Sequence, residues 1–145
     1  MTRPPIQIVP PRDLGPREWG TETLLVETPH YIGKRLEMRA GTAGGLQYHR
    51  QKDEAFLLVS GQAWVQWDDP EDQGFLLSHL LEAGEMVHVP PGAVHRVTAV
   101  TDCVFYEWST PHFNDRVRCE AEYGEPEIGG LPTTHDPAAD ATGQP

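Results

Sequence analysis

Residues 44–61 read GGLQYHRQKDEAFLLVSG: a glycine pair, then a polar row, then an apolar run closed by Ser60-Gly61. In an extended chain alternate side chains share a face, so Gln47, His49 and Gln51 line one side of a strand and Glu54 follows three residues later. The run from Ala55 to Val59 continues as strand, and the Ser-Gly pair supplies a turn. Imidazole and amide on one face, with a carboxylate close behind, are donors for a metal ion. The stretch is therefore both a strand and a candidate site.

Outward from it the chain keeps the same character. TLLVET, YIGKRLEMRA, QAWVQWDD, GFLLSHLLEAG, EMVHVPPG, HRVTAV and CVFYEWST are short, β-branched or aromatic segments separated by Gly, Pro and Asp turns. No window longer than about ten residues has helical period. This predicts an all-β sandwich or barrel built from sequential antiparallel hairpins, with no internal repeat. Gly61 and Gly84 fall at turns.

Bulk properties narrow the function classes. At 145 residues, 38% of them hydrophobic, the chain is expected to form one domain with a core that needs no disulfides. A net charge of −11 opposes binding to nucleic acid or an anionic membrane, because both attract Lys and Arg. Cys103 and Cys119 have no paired spacing and are expected as buried free thiols. No apolar run reaches signal-peptide or bilayer length, so a soluble cytoplasmic protein is expected. Five prolines mark residues 1–18 as an extended arm, 19–124 as the domain, and 125–145 as an acidic, Pro-containing tail whose last fifteen residues are expected to be disordered.

A second stretch, GEMVHVPPGAVH from Gly84 to His95, has Pro90-x-Gly92 followed two residues later by His95. Together the two stretches resemble the paired motifs of the cupin family, which implies a small antiparallel β-barrel of jelly-roll type. The resemblance also implies that one divalent ion (Zn, Mn, Fe, Ni or Co) is held by His49, Gln51, Glu54 and His95. Two positions depart from the family pattern: Gln51 stands where the first motif has its second His, and Ala99 where the second often has Asn. Gln47 is a rival ligand on the same face as His49. REWGTETLLVETPHYIGKRLEMRAG, LQYHRQKDEAFLLVSGQAWV, GEMVHVPPGAVHRV and DRVRCEAEYG, spanning roughly residues 17–124, are further similar to single-domain cupins related to type II mannose-6-phosphate isomerases.

That likeness implies aldose–ketose isomerisation, which needs an electrophile on the substrate oxygens and a general base beside the reacting carbon. Strand alternation nominates His88 and Glu107 for the base. Lys34 and Arg118 match positions retained in the resemblance and are expected to bind a sugar or sugar phosphate, whereas Arg50 and Lys52 are expected to face away from the ligand side. Two other classes compete. An Fe(II) cupin dioxygenase would be better served by three His than by a site with Gln51, and a non-catalytic sugar-binding module could stack a ring on Trp64, Trp67 or Trp108. A homodimer is expected, with the Pro-rich arm adding an edge strand to a neighbour.

Overall fold

The computed structural model describes residues 2–134. It is an antiparallel two-sheet jelly roll, as the strand pattern predicts. The strands are β1 (Arg12–Arg17), β2 (Gly20–Glu27), β3 (Ile32–Met38), β4 (Gln47–Tyr48), β5 (Glu54–Ser60), β6 (Ala63–Asp69), β7 (Asp72–Leu81), β8 (Met86–Val89), β9 (His95–Ala99), β10 (Cys103–Ser109) and β11 (Val117–Arg118). One sheet has the order β1-β2-β3-β10-β5-β8 and the other β11-β4-β9-β6-β7. Gly61 and Gly84 sit in the β5–β6 and β7–β8 connections with φ of 93° and 95°, a region that favours glycine.

Register gives the barrel a dry end and a polar end. On β5 the inward residues are Glu54, Phe56 and Leu58, and on β10 Cys103, Phe105, Glu107 and Ser109. Pairing sets Phe105 opposite Leu58 and Glu107 opposite Phe56, while on the other side of β10 Lys34 of β3 lies opposite Glu107. Phe56, Leu58, Val65, Leu81 and Phe105 thus share the main core, where Phe56 and Phe105 meet edge to face with ring centroids 5.7 Å apart. Glu54, Glu107 and Lys34 continue the same inward faces at the polar end and are also buried. Cys103 and Cys119 are buried free thiols.

Both terminal segments are tied in part to the barrel. Residues 12–17 of the expected arm form β1 and pair with β2 of the same chain, because Leu14 is buried against Leu24, Ile32 and Phe113. Residues 2–11 carry no strand, and Ile6 and Ile8 are exposed. At the other end residues 131–134, expected to be disordered, are hydrogen-bonded to the barrel: Arg116 donates to the Pro132 carbonyl and Arg50 to the Thr134 carbonyl. The rest of the expected disordered tail, 135–145, lies outside the described residues.

Candidate metal centre

His49 follows β4, Glu54 begins β5 and His95 begins β9, so three sheet positions converge at the polar end. All three are buried, and their donor atoms lie within 4.8 Å of one another. Glu54 Oε1 is 3.2 Å from His49 Nε2 and 3.2 Å from His95 Nε2. The other ring nitrogens are engaged by backbone: His49 Nδ1 meets the Asp115 carbonyl and His95 Nδ1 the Ala93 carbonyl. A carbonyl only accepts, so each Nδ1 carries a proton and each ring turns its Nε2 toward the carboxylate.

With both Nε2 atoms unprotonated the three groups would all be acceptors, and a cation between them would relieve their repulsion. Burial first, and then the Lys52 ammonium, push the His49 pKa below its ordinary value, which disfavours a proton as that cation. A metal with bonds of about 2.0–2.2 Å to N and O would space two adjacent donors by about 3 Å, near the observed separations. Imidazole held by a backbone carbonyl is the usual arrangement around such an ion. The residues fit a divalent metal, with His49, Glu54 and His95 as its holders.

Gln51 does not join them. The chain between β4 and β5 is not extended; the buried Asp115 carboxylate accepts the backbone N–H groups of Arg50, Gln51 and Lys52, curling the segment. Gln51 is consequently exposed, and Lys52, expected to face outward, is turned in. Gln47, the rival, pairs with His95 across β4 and β9 and lines the same cavity as His49, Glu54 and His95.

The cavity above these groups has a volume of about 170 Å³ and lies between the sheets. Two ion clusters shape it. Lys52 Nζ is 2.8 Å from Glu54 Oε2 and 3.5 Å from Glu107 Oε2. Lys34 Nζ is 2.7 Å from Glu22 Oε1, and Arg17 Nε is 2.8 Å from Glu22 Oε2. Burial raises the Glu22 pKa, but Lys34 and Arg17 outweigh it and bring the group to about 2. Burial likewise pushes Glu54 upward, yet Lys52 and the two His hold it well below the carboxylate range. Glu107 goes the other way: burial raises its pKa and the Glu54 charge adds to this, against Lys52. Arg96 and Arg116 also line the wall, giving five basic side chains against the acidic Glu22, Glu54 and Glu107.

Of the other nominated residues, Lys34 and Glu107 line the cavity. His88 does not: Val89 is buried beside Glu54, and the alternate His88 side chain is 65% exposed and bonded to Asp53. It is not positioned to be a base for this cavity. Arg118 is also outside, bound to Glu120 and to the Gly129 and Ile128 carbonyls. Trp64, Trp67 and Trp108 are partly exposed and line no part of the cavity, where the aromatic groups are Trp19, Phe56, Phe105 and Phe113.

Comparison with known proteins agrees with the fold. The profile of the cupin domain family matches residues 34–109, which carry all three metal-site residues. No curated protein matches the sequence. Among solved structures, the capsular polysaccharide assembling protein CapF from Staphylococcus aureus superposes with a TM-score of 0.66 at 22% identity, over 77% of this chain and 32% of CapF. KdgF from Halomonas sp. gives a TM-score of 0.55 at 18% identity, over 63% of this chain and 77% of that one. An RmlC-like cupin from Shewanella frigidimarina gives 0.55 at 20% identity, over 63% and 75%. The chain spans about a third of the length of the CapF chains it matches. Among the described residues no helix is long and apolar enough to cross a membrane.

Proposed function

This chain belongs to the cupin domain family, and on that premise we propose that it is a metal-dependent isomerase of a small sugar or sugar phosphate. The observation that carries the reading is the buried His49–Glu54–His95 group at the base of a cavity that also holds a separate carboxylate, Glu107, and an excess of cationic side chains. A cavity of about 170 Å³ is smaller than the roughly 300–1,000 Å³ of common ligand pockets, which suits a compact substrate. CapF, described as a capsular polysaccharide assembling protein, fits a carbohydrate setting, although its likeness bears on the fold alone.

A divalent ion held by His49, Glu54 and His95, with Gln47 alongside, would supply a Lewis acid for carbonyl and hydroxyl oxygens. The chain's own groups supply the rest. Glu107 is a cavity carboxylate outside the His49–Glu54–His95 group and, unlike Glu22, has a raised pKa, which brings it toward the range in which a carboxylate can both take and return a proton. Lys52 sits between Glu107 and Glu54 and keeps the two carboxylates apart. Lys34, fixed by Glu22, offers charge to an anionic substrate. The role first assigned to His88 or Glu107 therefore falls to Glu107.

Metal analysis of protein purified without added metal, followed by turnover assays on aldose phosphates and free aldoses, tests this. The expected result is one divalent ion per chain and an aldose–ketose conversion that carries solvent deuterium into the product. Glu107→Gln should retain metal and lose about 10²–10⁴-fold in rate. Failure to bind any divalent ion overturns the reading. Metal and sugar binding without turnover would replace it with the non-catalytic sugar-binding module.

A further inference from the structure

The segment Ile128–Thr134 crosses the polar end of the barrel and closes one wall of the cavity. Gly130 and Leu131 line that wall directly. Side chains from the barrel grip the segment along its length. Arg118 donates to the Gly129 and Ile128 carbonyls, Arg116 to the Pro132 carbonyl, and Arg50 to the Thr134 carbonyl, while the Thr133 and Thr134 hydroxyls accept the backbone N–H groups of Arg118 and Arg116.

The seat of the segment is the backbone of Ala43 to Gly45, where the metal-binding stretch begins. A Cβ on Gly129, whose φ is +63°, would lie 1.9 Å from the Ala43 carbonyl oxygen, and one on Gly130, at +71°, would lie 2.8 Å from the Gly45 amide nitrogen. A Cβ on Gly45 would itself meet the Arg118 guanidinium at 3.1 Å. Backbone packs on backbone here, with Gly129 and Gly130 on the strap side leaving room for the Ala43 carbonyl and the Gly45 amide. The segment is nevertheless held without a core of its own: Ile128 and Pro132 are exposed and Leu131 is half-buried. Such a region has many surface hydrogen bonds and little buried apolar area, the features of a locally opening unit.

We propose that Ile128–Thr134 is a strap gating the cavity, and that Leu131 is its specificity-determining residue, the side chain that limits which solutes reach His49 and His95. The inference rests on reading this cavity as the ligand site, but its test needs neither metal nor turnover. In the metal-free protein, diethyl pyrocarbonate acylates accessible imidazoles, and mass spectrometry reads the rate at each His. His49 and His95 are 4% and 8% exposed, whereas the His88 side chain is 65% exposed and serves as the internal reference.

The expected result is slow modification of His49 and His95 in the native chain. Relative to His88, it should be about tenfold or more faster in Leu131→Ala, which removes the plug, and in Gly129→Ala, which lifts the strap from its seat. An unchanged ratio in Leu131→Ala overturns the proposal, as does modification of His49 and His95 at the His88 rate in the native chain. If Gly129→Ala loses its cooperative urea transition, Leu131→Ala alone decides. Loss of metal binding or turnover would count against the proposed function and leave these ratios unaffected.

Discussion

Lys52→Met isolates the electrostatics of the site. The ammonium is buried with two carboxylates around it, 2.8 Å from Glu54 and 3.5 Å from Glu107. Methionine keeps the length and apolar volume of the stem but leaves both carboxylates without that cation. Removing one partner of a buried ionic group costs about 3–5 kcal/mol, a large fraction of a domain's stability. The loss should show in urea denaturation of metal-free protein at pH 7. It should shrink on adding a divalent ion, since a ligand at 1,000 times its Kd stabilises by about 4 kcal/mol. It should also shrink on acidification. A carboxyl whose folded pKa lies above its unfolded value, as burial makes it for Glu107, destabilises the fold at pH above the folded pKa, and protonation relieves this as pH falls through it. A metal-free Lys52→Met protein as stable as the native chain at pH 7 would refute the reasoning.

Three further outcomes follow from the same geometry. His95→Ala should keep the fold by circular dichroism yet lower metal affinity by more than the roughly 10–100-fold that an outer hydrogen-bond partner is worth, while His88→Ala leaves metal content unchanged. Gln47→Ala should weaken metal retention in competition with a chelator and Gln51→Ala should not, because only Gln47 lines the cavity. Glu22→Gln should flatten the acid limb of stability. The Glu22 pKa is depressed from 4.5 to about 2, so its contribution of about 3 kcal/mol is complete above pH 4.5 and is lost as pH falls toward 2; the variant, measured by urea titration at pH 5 and pH 3, should lack that part of the loss.

The fold and the His49–Glu54–His95 cluster were legible because they rest on local patterns. Two-residue alternation marks β5 and β10, and His49, Glu54 and His95 stand at fixed positions within short motifs. What escaped depends on partners distant in sequence. Alternation through Gln47, His49 and Gln51 assumes that the strand continues, but Asp115 collects three consecutive backbone N–H groups from 50–52 and bends the chain. One carboxylate more than sixty residues away thereby exchanges Gln51 for Lys52 in the cavity. Nothing within residues 44–61 signals it.

The error at His88 is of another kind, because its correction was available locally. EMVHVP offers two phases, and placing Val87 and Val89 inward buries apolar surface, whereas placing Met86 and His88 inward buries an imidazole. The structure takes the first: β8 pairs with β5 so that Val87 lies opposite the inward Phe56 and Val89 opposite the inward Glu54. Arg118 shows how an apparent substrate residue can serve the site at one remove. Its nomination rests on a resemblance in the Val-Arg segment, but its guanidinium binds Glu120 and the strap carbonyls instead of facing the cavity. Gly45 belongs to the same device. Gly45 leaves room for Arg118, and Arg118 holds the segment that walls the metal residues, so the opening of the first motif and the end of the described chain serve a single cavity.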